Sequence, residues 1–130
     1  MSTYQVGEGI GDILLEVDVN TIGLAASRAI ILIVNSIDPS NAVAHSENAS
    51  GDIAKTPIGK ADKIKGKRLS ILTKVNLLQS IIENKIEANR ASVTYLLNNG
   101  LNGKQIYSNP TKAISSDNST IVFSQNIDLI

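Results

Sequence analysis

The amino-acid sequence predicts an all-β fold, a single antiparallel β-sandwich of about six or seven strands. Several runs alternate apolar and polar residues with a period of two, which is typical of strands with one buried face. These runs do not alternate regularly with helical segments, as a parallel α/β sheet would require. A compact β-barrel is the nearest alternative. One short helix is expected near residues 79–88.

The size and composition of the chain are those of one domain, spanning residues 1–130. The chain has 130 residues, of which 42% are hydrophobic. At this length, folding buries roughly two-thirds of the surface that the unfolded chain exposes, so a core can form without disulfides or bound metal ions. Only 3% of the residues are aromatic. The core must therefore be built mainly from Ile, Leu, Val and Ala.

Three runs carry the clearest strand signal. In Asp12–Val19 the odd positions are all apolar and the even positions are mostly acidic. Ala91–Leu97 and Ile121–Leu129 show the same alternation. The sequence Asn98-Asn99-Gly100 follows the second run and is expected to end it in a turn, because Asn and Gly tolerate positive φ.

The run Arg28–Asn35 is apolar on both phases, which is typical of a strand covered on both faces. The preceding Thr21–Ser27 is interpreted as a helical turn or a wide connection. From Ile37 to Lys65, proline, glycine and small polar residues predict long loops, with one short strand near Asp52–Lys55.

The stretch Lys65–Arg90 fits two patterns. Its first half alternates as a strand does, whereas Val75, Leu78, Ile82 and Ile86 are spaced as on one face of a helix. We divide it into a strand over Lys67–Leu77 and a helix or ordered loop over Gln79–Ala88. The strand phases predict that six side chains are buried: Val17, Ile33, Ile71, Val93, Phe123 and Ile127.

No motif commits the chain to a chemistry, and we expect no catalytic residue, no cofactor and no metal. There is no cysteine, and His45 is the only histidine. Gly7, Gly9 and Gly11 resemble part of a dinucleotide fingerprint, but that fingerprint follows a strand and opens a helix. Here a strand follows, so the glycines are interpreted as a flexible lead into it.

Asp12, Glu16 and Asp18 share one strand face, where carboxylates can bind calcium or transfer protons. A charged outer face is also what an amphipathic strand normally shows, and we prefer that interpretation. Sugar sites often stack the ligand on exposed aromatic rings. Tyr95 and Phe123 fall on buried phases, which leaves Tyr4 and Tyr107 for such a site.

The charge and the apolar runs indicate which partners to expect. Twelve basic and twelve acidic residues cancel, so nucleic acid is not an expected partner. The basic cluster Lys60–Arg68 is interpreted as a solvated loop. The longest apolar run, Ala29–Val34, is far shorter than the ~20 residues that span a membrane.

We therefore predict a non-enzymatic structural or protein-interaction module. Its partner is another protein or, by preference, a second copy of itself in a larger assembly, because excess apolar surface tends to mark an interface. The residues predicted to form this interface are Ile31, Leu32, Ile33, Leu78 and Ile82. Two alternatives remain: a small lectin-like ligand-binding sandwich, assisted by calcium at the acidic face, and a hydrolase using Asp12, Glu16 or Asp18.

Overall fold

Strands dominate the structure, a computed structural model that describes residues 2–33 and 42–130. The strands are β1 (Ser2–Tyr4), β2 (Asp12–Asn20), β3 (Leu24–Ile33), β4 (Ala42–His45), β5 (Ile53–Lys60), β6 (Lys67–Asn76), β7 (Ser92–Gly100), β8 (Gly103–Tyr107), β9 (Thr111–Ile114) and β10 (Thr120–Leu129). Two helices accompany them, α1 (Ala61–Ile64) and α2 (Ile81–Arg90). The all-β prediction is confirmed. The predicted number of about six or seven strands is too low, because short edge strands lack a strong periodic signal.

The strands form two sheets. The six-stranded sheet has the order β1-β10-β6-β3-β4, and β9 pairs with β10 on the side where β1 also lies. The four-stranded sheet has the order β5-β2-β7-β8. All pairings are antiparallel except that of β1 with β10. The centre of the larger sheet is β6, which pairs with β3 along one edge and with β10 along the other.

Buried side chains from both sheets form one apolar cluster. Five of the six side chains predicted to be buried are buried, namely Val17, Ile71, Val93, Phe123 and Ile127. The prediction for Ile33 is wrong, because this residue is 61% exposed. In the alternation along β3, Ile33 falls on the same side as the buried Ala29. Burial declines along this side, from Ala29 through half-buried Ile31 to Ile33 at the end of the strand.

Two segments predicted to be irregular are strands. Leu24–Ser27, expected in a helical turn or wide connection, belongs to β3 and pairs with β6. The region Ile37–Lys65, expected to be mostly loop, contains β4, β5 and α1; residues 34–41 lie outside the described residues. Its strand β5 contains Pro57, which a central strand would not tolerate but an edge strand does.

The division of Lys65–Arg90 is confirmed, with β6 ending at Asn76 and α2 beginning at Ile81. The turn expected at Asn98-Asn99-Gly100 lies slightly later in the sequence than predicted. The strand β7 runs on to Gly100, and the chain turns at Leu101 and Asn102. The pairing of β7 with β8 shifts register between Leu97 and Gly100, and Asn99 takes a φ of 77° there.

A few polar side chains are buried within this aliphatic core. The hydroxyls of Ser27 and Thr73 lie 2.7 Å apart and form a hydrogen bond. Among the described residues, the buried Tyr95 hydroxyl has no partner in hydrogen-bonding geometry, although Thr73 lies close enough to lower its pKa. Burial dominates and raises the pKa of Tyr95 to about 12, since the interior disfavours the phenolate.

The contrast between Ile127 and Ile33 gives a matched test of the strand phases. Ile127→Ala should lower the free energy of unfolding by about 2–5 kcal/mol, because it empties a fully buried site. Ile33→Ala should change it by no more than about 0.5 kcal/mol, as exposed substitutions usually do. Chemical denaturation followed by circular dichroism measures both values. Equal losses would show that the phase assigned to β3 or β10 is wrong.

Candidate interaction surface

The helix α2 crosses from β6 in one sheet to β7 in the other, and its ends are well defined. Ser80 precedes the first turn, and its hydroxyl accepts a hydrogen bond from the Glu83 amide at 3.2 Å. A serine three residues before a glutamate is a common N-terminal pattern for helices. At the other end, the Ala91 amide donates to the Glu87 carbonyl at 2.9 Å. Local sequence therefore fixes where the helix begins and ends.

The side of α2 that faces the protein is small and polar rather than apolar. Its buried residues are Asn84 and Ala88. The Asn84 side-chain oxygen accepts a hydrogen bond from the Gln79 amide at 3.0 Å, which ties the helix to the connection before it. Side chains three or four positions apart share a helix face, so Ile82 and Ile86 lie on the opposite side from this pair. The apolar stripe of α2 is therefore turned towards solvent.

These isoleucines belong to a larger apolar surface, which we call the α2-end surface. Its members lie on α2, on the connection before it, and at the neighbouring start of β3, where Leu24 pairs with Asn76. All are large and exposed, with Ile82 at 77% and Leu78 at 73%: Ile22, Leu24, Leu78, Ile81, Ile82 and Ile86. Exposed apolar side chains grouped in this way are typical of interaction sites, above all where polar residues border them.

A shallow groove of about 420 Å³ crosses this surface. It is lined by Ile22, Gln79, Glu83, Ile86, Glu87 and Arg90. Glu87 and Arg90 form an exposed ion pair at 3.3 Å on its rim. Acidic and basic side chains thus border the same apolar groove, and a partner surface carrying both signs of charge would match it.

The five residues predicted to form one interface lie in two places. Ile31 points inwards and packs against the core, and Leu32 is partly exposed on the outer face of β3. Ile33 ends that strand, where it pairs with Lys67. Leu78 and Ile82 lie at the other end of β6, about 30 Å away at the rise of a strand. Only these last two belong to the α2-end surface.

The sequence does not predict that Ile22, Leu24 and Ile81 belong to the α2-end surface. The apolar residues of Thr21–Ser27 are the available signal for Ile22 and Leu24, but their pattern predicts a helical turn or a wide connection. A period-two pattern identifies the face of a strand and does not show which strand ends lie together. That neighbourhood depends on pairing between distant segments, here between β3 and β6.

The acidic residues of β2 do not converge on a site. Asp12 forms an ion pair with Lys60 at 3.8 Å. Glu16 lines a cavity of about 40 Å³ together with Lys55 and Lys104. Asp18 is exposed. Within residues 2–33 and 42–130, no three side chains of His, Cys, Asp or Glu are grouped so that they could hold a metal ion.

His45 lines a cleft of about 250 Å³ together with Glu47 and Asp52, although the described hydrogen bond of its ring involves neither carboxylate. It is exposed on β4, and its Nδ1 lies 3.0 Å from the Ser46 carbonyl oxygen. On β3, the residue paired with His45 is Arg28, which is a cation rather than a carboxylate. A charge relay built on this histidine would need a carboxylate partner.

The tyrosines left for a sugar site are used internally. Tyr4 is fully buried, so its predicted availability is wrong. Its hydroxyl donates to the Gly103 carbonyl at 2.6 Å and accepts from the Gly100 amide at 2.8 Å. The Tyr107 hydroxyl donates to the Thr3 carbonyl at 2.8 Å, and burial raises the pKa of Tyr107 to about 12. Tyr4 therefore has no exposed ring for stacking, and Tyr107 is partly buried against the core.

A polar cleft of about 420 Å³ lies at the edge of the six-stranded sheet, between β1 and β9. Its lining consists of hydroxyl and amide side chains: Ser2, Asn109, Thr111, Ser124, Gln125 and Asn126. Gln125 is buried, and its amide donates to the Ser2 hydroxyl at 3.1 Å. Such a lining could hydrogen-bond a small polar ligand, although most ligand sites are more apolar.

The basic cluster Lys60–Arg68 is largely neutralised by ion pairs. Lys65 lies 2.9 Å from Glu8, and Arg68 lies 2.8 Å from Asp128. The latter contact is charge-assisted, and it raises the pKa of Arg68. The cluster includes α1 and the start of β6 rather than one long loop. Its charge is mostly matched within the chain.

Comparison with known proteins identifies no relative: no family model, no curated protein and no solved structure matches this chain. Of the helices in the described part of the chain, none has the length and apolar character needed to cross a membrane. The function must therefore be inferred from the surfaces themselves.

A turn between β9 and β10 borders the α2 end, and Asp117 organises it. One Asp117 carboxylate oxygen accepts hydrogen bonds from the hydroxyls of Ser115 and Ser119, each at 2.7 Å, and from the Ser119 amide at 3.0 Å. These bonds favour the charged form and lower the pKa of Asp117 from its ordinary 3.8 to about 2. The Ser119 carbonyl in turn accepts from the Leu77 amide, where the chain leaves β6.

Because of Asp117 in this turn, the stability of the fold should depend on pH in the acid range. A lowered pKa in the folded state stabilises the fold above pH 3.8, and the effect is lost as the pH falls towards about 2. Asp117→Asn removes the charge at every pH. The melting temperature of the unmodified chain should therefore exceed that of the variant above pH 4, and the difference should shrink in stronger acid. A difference that stays constant across this range would contradict the assignment.

Proposed function

We propose that the chain is one β-sandwich domain that acts as a self-associating, non-enzymatic structural subunit. The α2-end surface is the observation that supports this proposal most. Contact between a large apolar surface and water is unfavourable in free energy. Burying one large aliphatic side chain stabilises a protein or a complex by roughly 1.5–3 kcal/mol. Six such side chains lie together at the α2 end.

The size of this surface fits a specific interface. A standard protein–protein interface buries about 800 Å² on each partner, and the six large exposed side chains of the α2-end surface would supply part of that area. The rest would come from the polar rim. The apolar stripe of Ile82 and Ile86 covers about one turn of α2, on which a second helix could pack at an interaxial distance of about 8–10 Å.

A second copy of the chain is the partner that the charges favour. The groove is lined by Glu83 and by the Glu87–Arg90 ion pair, so it carries charges of both signs, as a two-fold related copy of the same surface would. The formal net charge of the chain is zero, so two copies approach without long-range repulsion. A strongly charged partner would not gain from this surface.

The polar cleft beside Ser2 supports the alternative of a small ligand-binding domain. Its hydroxyl and amide groups suit a neutral polar ligand such as a sugar. The positions of Asp12, Glu16 and Asp18 do not support a calcium ion that assists ligand binding, since Asp12 is paired with Lys60. Thermal melting with sugars, with and without calcium, separates this alternative from self-association. A ligand-dependent increase in melting temperature at constant mass would favour it.

Charge placed on the α2-end surface should abolish association through that surface without unfolding the chain. Ile82→Glu changes a side chain that is 77% exposed in the single chain, so the fold should persist. In an assembled interface the same carboxylate would be buried without a partner. Self-association should weaken tenfold or more, because about 1.4 kcal/mol already corresponds to a factor of ten. Sedimentation equilibrium measures the effect.

Ile106→Glu is the matched control, because Ile106 is an exposed isoleucine of β8 outside the α2-end surface. It should leave the self-association constant unchanged. The proposal fails if the unmodified chain is monomeric at high concentration. It also fails if the two variants weaken association equally, since the surface would then have no special role.

A further inference from the structure

The N-terminal segment Ser2–Val6, which we call the strap, is bound to the rest of the chain as a separate peptide would be. It consists of β1 and the two residues that follow, and its side chains Tyr4 and Val6 are buried. The Val6 amide donates to the Ile130 carbonyl at 2.8 Å, and the Ile130 amide donates to the Tyr4 carbonyl at 2.9 Å. These bonds continue the parallel pairing of β1 with β10.

On its other side, the strap is held by the hairpin of β7 and β8. The Leu101 amide donates to the Gln5 carbonyl at 2.9 Å, and the Asn102 side chain accepts from the Gln5 amide. The Tyr4 hydroxyl bridges Gly100 and Gly103 of the same hairpin. In the described part of the chain, the strap's hydrogen bonds thus go to residues 100–107 and 125–130.

The hairpin is shaped to receive the tyrosine. A Cβ atom at Gly100 would lie 2.6 Å from both the Gln5 carbonyl oxygen and the Tyr4 ring. Only glycine permits so close an approach of the backbone to the strap. Together, β10 and the hairpin form a receptor for an extended segment with a tyrosine at its centre.

The strap is joined to β2 by the short link Gly7–Gly11, in which three of five residues are glycine. Gly7 has a φ of 83°, so its conformation also depends on glycine. Each residue of the link makes a contact. The Ala61 and Asp62 amides donate to the carbonyls of Gly11 and Gly9, and the Lys60 ammonium donates to the Ile10 carbonyl at 3.4 Å. Lys65 pairs with Glu8, and buried Gly7 lies against Leu101. Apart from Gly7, the link is exposed, so turning it breaks contacts at the surface. A glycine-rich link of this kind can turn the strap away from its own receptor at modest cost.

We propose that the strap is exchanged between copies, so that Ser2–Val6 of one chain occupies the receptor of a second chain. Every hydrogen bond and buried contact of the strap is reproduced in the exchanged pair, because the receptor lies entirely on residues after the link. What changes is the conformation of Gly7–Gly11 and the contacts that this link makes with Lys60, Ala61, Asp62 and Lys65. Exchange of an identical element is a low-cost route from monomer to dimer.

The exchange site lies at the opposite end of the strands from the α2-end surface, since β10 runs from the α2 end at Thr120 towards the strap at Leu129. A subunit with one self-contact at each end forms a linear assembly. Strap exchange does not rest on the α2-end surface. Ile82→Glu should therefore leave exchange intact, and each proposal can fail without the other.

A disulfide trap tests the exchange directly, because the chain has no cysteine. Thr3 and Asp128 are register partners on β1 and β10. In the double variant T3C/D128C, oxidation should link two chains where straps are exchanged and should close a loop within one chain where they are not. On a denaturing gel without reductant, we expect a covalent dimer whose share rises with the protein concentration during refolding.

The control is S70C/N126C, a register pair on β6 and β10 that cannot exchange with the strap. It sets the background of accidental cross-links between chains. A second test mixes the single variants T3C and D128C, one carrying a mass tag, and looks for the disulfide joining the two. The proposal is overturned if the dimer share stays at the control level at every concentration and the mixture gives no mixed dimer.

Discussion

The pairing of β6 with two strands at once is the constraint on which the rest of the structure depends. Its residues bond to β3 along one edge and to β10 along the other, and its inward side chains Leu69, Ile71 and Val75 are fully buried. Because β6 is central in one sheet and β7 lies in the other, the chain must cross between the sheets after Asn76. The helix α2 is that crossing.

The exposed apolar surface is a consequence of how this crossing is anchored. The helix contacts the protein through Asn84 and Ala88, so its isoleucines cannot also face the core. We infer that the sequence keeps them apolar for a second subunit, since an unpartnered surface helix would normally carry polar residues there. At the other end, the strap closes the core by inserting Tyr4 beside Gly100, and the same closure can be supplied by a second chain.

The sequence predicts the long strands well because their periodicity is local. The buried phases of β2, β6, β7 and β10 follow directly from alternation, and the division of Lys65–Arg90 follows from the change of period after Leu77. It does not predict β1, β4, β8 or β9, which are short and bound mainly through backbone pairing. Two of the six residues of the α2-end surface, Leu78 and Ile82, are predicted from sequence, whereas Ile22 and Leu24 join them only through the pairing of β3 with β6.

The central claim is that the α2-end surface is covered in the assembled protein. Methyl NMR on isoleucine-labelled chain, with a soluble paramagnetic probe, measures this residue by residue. The account predicts that the methyl groups of Ile22, Ile82 and Ile86 lose access to the probe as protein concentration rises, while Ile10 and Ile106, exposed elsewhere, stay accessible. If all five methyl groups remain equally accessible at the highest concentration, the α2-end surface is not an interface between copies of this chain.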